Sequence, residues 1–287
     1  MIRTGGATMF DLRFEPRSVG VERATQGGTL VQTWRDLSDA VCAYGYAGPE
    51  WWAMELPRVG TFRLDLAEPR VIRVFVRPGV SSTQLNDLYR RSVLPLLLQA
   101  LGYETLHASA VRGSRGALAF CGERGAGKST VAYALGTRGL AQHADDTLAL
   151  TIERAITTLP LPFSPRLRPA SADYFSHTPS GDPMDASNDD PAPLSAIFIL
   201  RPTERASGPE VIHQPPARAL QAVLAHAHCF EPENRNARLR LLRNYLEIST
   251  RVPTYVIRYQ PGLERLEALL DAVLSMAGES CGVQVAV

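Results

Sequence analysis

Along the chain the spacing of apolar residues changes repeatedly, and each change predicts an element. Thr61-Phe62-Arg63-Leu64-Asp65-Leu66 and Val71-Ile72-Arg73-Val74-Phe75-Val76 alternate polar and apolar positions, the period of half-buried strands, with Glu68-Pro69 as the turn between them. Residues 1–80 are therefore expected to hold a small antiparallel sheet, with Trp34, Trp51 and Trp52 packing it. Ser81-Ser82 then caps a helix running through Leu85, Leu88, Tyr89 and Val93 to Leu101-Gly102, with a kink at Pro95, and leading into the second part of the chain. Ala117-Leu118-Ala119-Phe120-Cys121 is a continuous apolar run that reads as a buried strand. The stretch from Ser129 to Leu135 reads as a helix stopped by Arg138-Gly139, and Leu148-Ala149-Leu150-Thr151-Ile152 as another strand. Nearer the C-terminus Leu239, Leu241, Leu242 and Leu246 share one predicted helix with Arg235, Arg238, Arg240 and Arg243, which reads as a core stripe carrying solvated charge in preference to a site for an acidic partner. Residues 177–194 are rich in Pro, Ser, Asp and Asn; this loop composition suits either a lid or a linker.

The pattern divides the chain into a β-rich region, 1–80, and an α/β domain, 81–287. Its 45% hydrophobic content supports a sizeable core, and a formal net charge of +1 gives no electrostatic reason for a nucleic-acid or membrane partner. With no apolar stretch as long as a membrane span and no secretory leader, the expected location is the cytoplasm. Cys42, Cys121, Cys229 and Cys281 form no C-x-x-C pair and are expected to be reduced; the histidines, His226 and His228 included, lack metal-ligand spacing.

Against this background one segment is distinctive. The chain has 29 arginines and a single lysine, Lys128, within Gly122-Glu123-Arg124-Gly125-Ala126-Gly127-Lys128-Ser129, the G-x-x-x-x-G-K-[ST] spacing of a phosphate-binding loop. Glycines at 122, 125 and 127 let successive N–H groups turn inward around a phosphate, and a helix starting near Lys128 adds its positive dipole end. Lysine supplies a compact charge on a flexible stem for the β- and γ-phosphates, and the Ser129 hydroxyl a magnesium ligand. The whole segment through Thr130 is thus the candidate nucleotide site. Strand, loop and helix occur in the order this chemistry needs.

Asp145-Asp146 follows at the mouth of the next apolar strand. One carboxylate there suits proton acceptance from a hydroxyl and the other magnesium, although adjacent aspartates also serve as turns or caps. In Leu106-His107-Ala108-Ser109-Ala110-Val111 a histidine stands among small apolar residues, either as a satisfied core group or as one that tunes a nearby carboxylate.

Taken together, Leu106–Val111, the phosphate loop, Arg138-Gly139 and Ala144-Asp145-Asp146 resemble, in order and spacing, the HPr kinase/phosphorylase family and above all its smaller relatives. Pro193–Leu200, the helix around Ala217–Leu220 and Val252–Tyr259 are also similar to those relatives, so that the resemblance spans about residues 60–275. It implies a P-loop serine-kinase core of the type shared with phosphoenolpyruvate carboxykinases. It further implies that Asp145 is the base toward a serine hydroxyl, that His107 assists it, and that Asp146 with Ser129 stands on the metal side. The family's Glu-Ile-Arg-Gly signature is missing; Leu161-Pro162-Phe163-Ser164-Pro165-Arg166-Leu167-Arg168-Pro169 takes its place and resembles a Pro-Phe-x-x-Arg segment of the smaller relatives. Arg166 or Arg168 is then the candidate for neutralising charge on the transferred phosphoryl group. Phosphorylase activity and HPr as substrate are not carried over.

The expectation is an α/β protein with a small N-terminal sheet, using ATP and Mg²⁺ to phosphorylate a serine of a protein or ribosomal peptide. Some relatives occur with lasso-peptide biosynthesis and modify the precursor. The alternatives are a small-molecule kinase of the same fold and a non-catalytic nucleotide-binding module. The hexameric state of HPr kinases implies self-association.

Overall fold

The computed structural model describes residues 11–15, 20–36, 38–159, 161, 167–177, 190–229 and 234–278. It is a mixed α/β structure with two sheets, and the chain divides into two compact units.

One unit comprises Gly6–Tyr103 with His228–Leu241. Its sheet contains β1 (Asp11–Phe14), β2 (Thr29–Arg35), β3 (Val41–Gly48), β4 (Trp51–Leu56), β5 (Gly60–Asp65) and β6 (Val71–Val76), in the spatial order β1-β6-β5-β4-β3-β2. Every pairing is antiparallel except β1 with β6. The alternation seen in the sequence sets the register. Phe62 lies opposite Val74 and Leu64 opposite Ile72, all four buried, so Arg63 and Arg73 face each other on the other side. Two like charges at that position would repel, and Asp65 lies between them, 2.8 Å from Arg63 and 3.2 Å from Arg73; Glu15 adds a further contact to Arg73 at 3.2 Å. Trp52 is buried in the sheet, and the Arg63 guanidinium stacks over Trp51 at 4.2 Å.

The helical segment belongs to the same unit. α1 (Ser82–Leu88) is capped by Ser81, whose hydroxyl accepts the Gln84 N–H, and is followed by one π-helical turn, Tyr89–Val93, and by α2 (Leu94–Ala100). The expected irregularity at Pro95 thus takes the form of a widened turn, because proline lacks an N–H and its ring crowds the carbonyl four residues earlier.

The other unit comprises, among the described residues, those of 104–227 and 242–278. Its elements are β7 (Glu104–Leu106), β8 (Ala108–Gly113), β9 (Gly116–Gly122), α3 (Lys128–Thr137), β10 (Ala141–Ala144), β11 (Leu148–Ile152), β12 (Ile156–Leu159), α4 (Pro169–His177), β13 (Ala192–Pro202), β14 (Glu210–Gln214), α5 (Pro216–Leu224), the second part of α6 (Arg235–Arg251), β15 (Thr254–Tyr259) and α7 (Leu266–Ala277). The sheet runs β10-β8-β9-β13-β12-β11-β7, with β15 also on β13 and β14 on β15. β13 is parallel to both β9 and β15. β9 is buried along its whole length and β13 from Ala196 to Leu200, the apolar stretch expected of parallel strands, and Phe120 of β9 stacks on Phe198 of β13 at 5.7 Å. Leu135 of α3 and Leu270 and Val273 of α7 belong to the same core. Arg138, just beyond α3, pairs with Glu267 and, at 2.7 Å, with Asp271 of α7.

One expectation is corrected. α6 forms, but three of its four leucines are not the core stripe: Tyr245, Ile248 and Ser249 are buried and Leu241 is half-buried, whereas Leu239, Leu242 and Leu246 are 50%, 46% and 49% exposed. Apolar residues occupy two faces of this helix, and the larger Tyr245 won the interior because its hydroxyl also satisfies the Thr105 carbonyl at 2.8 Å. Cys42 and Cys121 are free thiols; Cys281 lies outside the described residues. Among the described residues no helix is long and apolar enough to cross a membrane.

Candidate functional site

The strand β9 is buried along its whole length and delivers the chain, at Gly122, into a six-residue glycine loop that ends where α3 begins. At Gly122, φ is 154°, and a Cβ there would stand 2.9 Å from both the Leu200 carbonyl oxygen and the Ala126 Cβ, so the turn tolerates no side chain. Gly127, with φ of 75°, is the left-handed residue at the start of α3 and offers no side-chain cap to the first-turn N–H groups. The loop is fixed from behind: the Tyr259 hydroxyl of β15 donates to the Ala126 carbonyl at 2.7 Å. Burial pushes this phenol up to about 12.

Lys128 is only 7% exposed and its ammonium has no carboxylate within ion-pair distance among the described residues; Nζ donates to the carbonyls of Gly122 at 3.0 Å and Glu123 at 3.5 Å. Burial lowers its proton affinity, only partly offset by the charges of Asp145 and Asp146, while Arg168 lowers it further. The loop therefore holds a desolvated positive charge against its own carbonyl oxygens. Glu123, Arg124 and Gly125 are exposed, and Ala126 is buried.

Asp145 is 4% exposed, and its Oδ1 accepts two hydroxyls, Ser109 at 2.6 Å and Ser129 at 2.8 Å. The two hydroxyl oxygens stand 3.5 Å apart. Strand β8, the start of α3 and the segment after β10 meet at this carboxylate. Asp146 is a non-glycine residue in the left-handed region, with φ of 61°, and its carbonyl lies 3.0 Å from His107 Nδ1. A carbonyl can only accept, so Nδ1 carries the proton and Nε2 of the neutral ring keeps a lone pair. Burial lowers the His107 proton affinity, and the Lys128 charge lowers it again, so the neutral ring prevails. His226, whose backbone carbonyl accepts the His107 N–H at 2.7 Å, is pushed down to about 4 by burial and by the charges of Lys128 and Arg201.

The structure thus brings together Lys128, Ser129, Asp145, Asp146 and His107. Thr130 turns toward α4, its hydroxyl 3.1 Å from that of Ser171. Of the two arginine candidates, Arg166 lies outside the described residues, whereas the Arg168 guanidinium lies 3.4 Å from where a Cβ on Gly125 would stand. Residues 178–189 of the candidate lid also lie outside the described residues. Ser109, Ser171, Tyr259 and His226 had no assigned role in the sequence. For Ser109 a signal existed, since it is two residues beyond His107 and shares its side of an extended segment. His226 is brought in only by the pairing of Leu106 with Ala227. No group of three His, Cys, Asp or Glu side chains suited to a metal occurs among the described residues.

No family model matches the chain, and no curated protein matches it. Among solved structures, an HPr(Ser) kinase/phosphatase from Coxiella burnetii is similar over 61% of this chain and 93% of its own, at 15% identity and a TM-score of 0.36. A superposition that loose fixes neither the fold nor an activity.

Proposed function

We propose that this protein is an ATP- and magnesium-dependent kinase that phosphorylates a serine hydroxyl of a protein or ribosomally made peptide. The observation that carries the reading is the convergence on Asp145: the serine that follows the loop lysine donates to a buried carboxylate whose neighbour, Asp146, is held through its backbone by His107. In this reading the backbone of Gly122–Gly127 binds the phosphates. The Lys128 ammonium, held by the Gly122 and Glu123 carbonyls, is released from them at little cost to meet the β- and γ-oxygens. Hard oxygen donors at Ser129 and Asp146 fit magnesium, which needs only one or two protein ligands beside phosphate and water and supplies charge neutralisation when bound. Asp145 accepts the acceptor's proton, His107 supports it, and Arg168 or Arg166 offsets charge on the transferred group.

The 2.8 Å contact between Ser129 and Asp145 also favours a second assignment, Asp145 on the metal side and Asp146 toward the acceptor. Asp145→Asn and Asp146→Asn separate these roles. A base variant loses kcat with its magnesium requirement unchanged, whereas a metal-side variant regains rate at high magnesium.

The test is transfer of γ-labelled phosphate from ATP to proteins and peptides of a lysate of the source organism, comparing wild type with Asp145→Asn. Label on a discrete protein or peptide, reduced about 10²–10⁴-fold in the variant, supports the proposal. Label confined to small molecules points to a metabolite kinase, and nucleotide binding without transfer to a non-catalytic module; either result overturns it.

A further inference from the structure

α6 has two apolar faces, and the fold uses one. Asn244 donates to Glu104 Oε1 at 2.6 Å, Tyr245 to the Thr105 carbonyl, and Tyr245, Ile248 and Ser249 are buried, so this side is anchored. About a quarter-turn round from it, and toward the N-terminal end of the helix, two rows run at four-residue spacing: Arg235, Leu239 and Arg243 in one, and Arg238, Leu242 and Leu246 in the other. All six side chains are exposed, and the leucines are open to solvent to about half their area. Arg235, Arg238, Arg240 and Arg243 have no carboxylate partner among the described residues; the single acid of the helix, Glu247, is engaged by Arg251. Leucines stabilise nothing while exposed, and four arginines within nine residues, none with a carboxylate partner among the described residues, repel one another.

We infer that this face of α6 docks an acidic amphipathic segment of another protein, with apolar side chains at helical spacing and carboxylates between and beside them. The interleaving selects that occupant. In both rows guanidinium groups stand in line with the leucines, so immersion in a bilayer would carry charge to the depth of the apolar contacts. A second copy of the same helix would set arginine against arginine. A nucleic-acid backbone would match the arginines and leave the leucines unused. Carboxylates meet guanidinium groups bidentately while the leucines pack between them, and each contact strengthens as the other excludes water.

The probe is a fluorescent helical peptide with leucines at i, i+3 and i+7 flanked by glutamates, compared with a scrambled peptide of equal composition and with its lysine counterpart. Binding is followed by anisotropy on the full chain, beside flotation with phosphatidylglycerol vesicles and sedimentation of the free protein. The expected result is binding of the acidic amphipathic peptide alone, weakened tenfold or more by Leu242→Ser with Leu246→Ser, and similarly by Arg238→Glu with Arg243→Glu. Because all four positions are exposed, these variants should melt within about 1 °C of wild type. Equal binding of the scrambled peptide, capture by vesicles without peptide binding, dimerisation lost in the leucine variant, or a large drop in melting temperature would each overturn the inference.

Discussion

Ser109→Ala tests the arrangement at the centre of the candidate site without touching the glycine loop. Ser109 is fully buried, and its hydroxyl donates to Asp145 Oδ1 at 2.6 Å, the shorter of the two contacts to that oxygen. A hydrogen bond to a charged acceptor contributes about 1.5–3 kcal/mol, and removing one oxygen leaves a void too small for water to replace the donor. The expected loss in unfolding free energy is therefore about 1.5–3 kcal/mol. Ser129→Ala should cost less, since Ser129 is partly exposed and water can take its place. The double variant should lose more than the two singles together by at least ~0.5 kcal/mol, because each single variant leaves Asp145 Oδ1 one of its two hydroxyl donors and the double variant leaves it neither. The assay is urea unfolding followed by far-ultraviolet circular dichroism; Trp34, Trp51 and Trp52 all lie in the other unit, so tryptophan fluorescence would report the wrong transition. A loss below ~0.5 kcal/mol for Ser109→Ala would refute the view that this serine holds the carboxylate in place.

Three further outcomes are expected. Lys128→Met should weaken binding of a non-hydrolysable ATP analogue by roughly 30- to 100-fold, measured calorimetrically, with no fall in urea stability, because the ammonium it removes is disfavoured by burial; unchanged affinity would exclude Lys128 from phosphate binding. His143 is buried beside Thr158, whose hydroxyl donates to the Ala192 carbonyl and must accept the His143 Nε2–H; burial, followed by the charge of Arg112, pushes this imidazole from 6.5 down to about 4. The unfolded chain then binds a proton that the folded one refuses, so stability is complete above pH 6.5, falls as pH drops, by about 2 kcal/mol at pH 5, and levels off below pH 4; His143→Gln should flatten that slope, and an unchanged slope would place the titration elsewhere. Tyr259→Phe should cost about 1 kcal/mol and speed hydrogen exchange in the loop that Ala126 anchors; exchange rates equal to wild type would show the hydroxyl to be dispensable.

The sequence determined what depends on neighbours along the chain. The alternation in 61–66 and 71–76 specified β5 and β6 and the side each residue faces, because side chains in a strand alternate whatever lies next to it. The apolar run at 117–121, the glycines and Lys128 specified strand, loop and helix, since backbone freedom and phosphate-loop spacing are local properties. Tertiary structure decided the rest. Asp145 and Ser129 are sixteen residues apart and Asp145 and Ser109 thirty-six, so their meeting on one carboxylate oxygen depends on β8 pairing with β9 and β10, which no window along the chain encodes. His226 comes beside His107 through a bridge across more than a hundred residues. On α6 the periodicity offered two apolar faces of similar strength; the choice between them came from a tyrosine hydroxyl finding a distant strand carbonyl, an energy that exists only once the chain has folded.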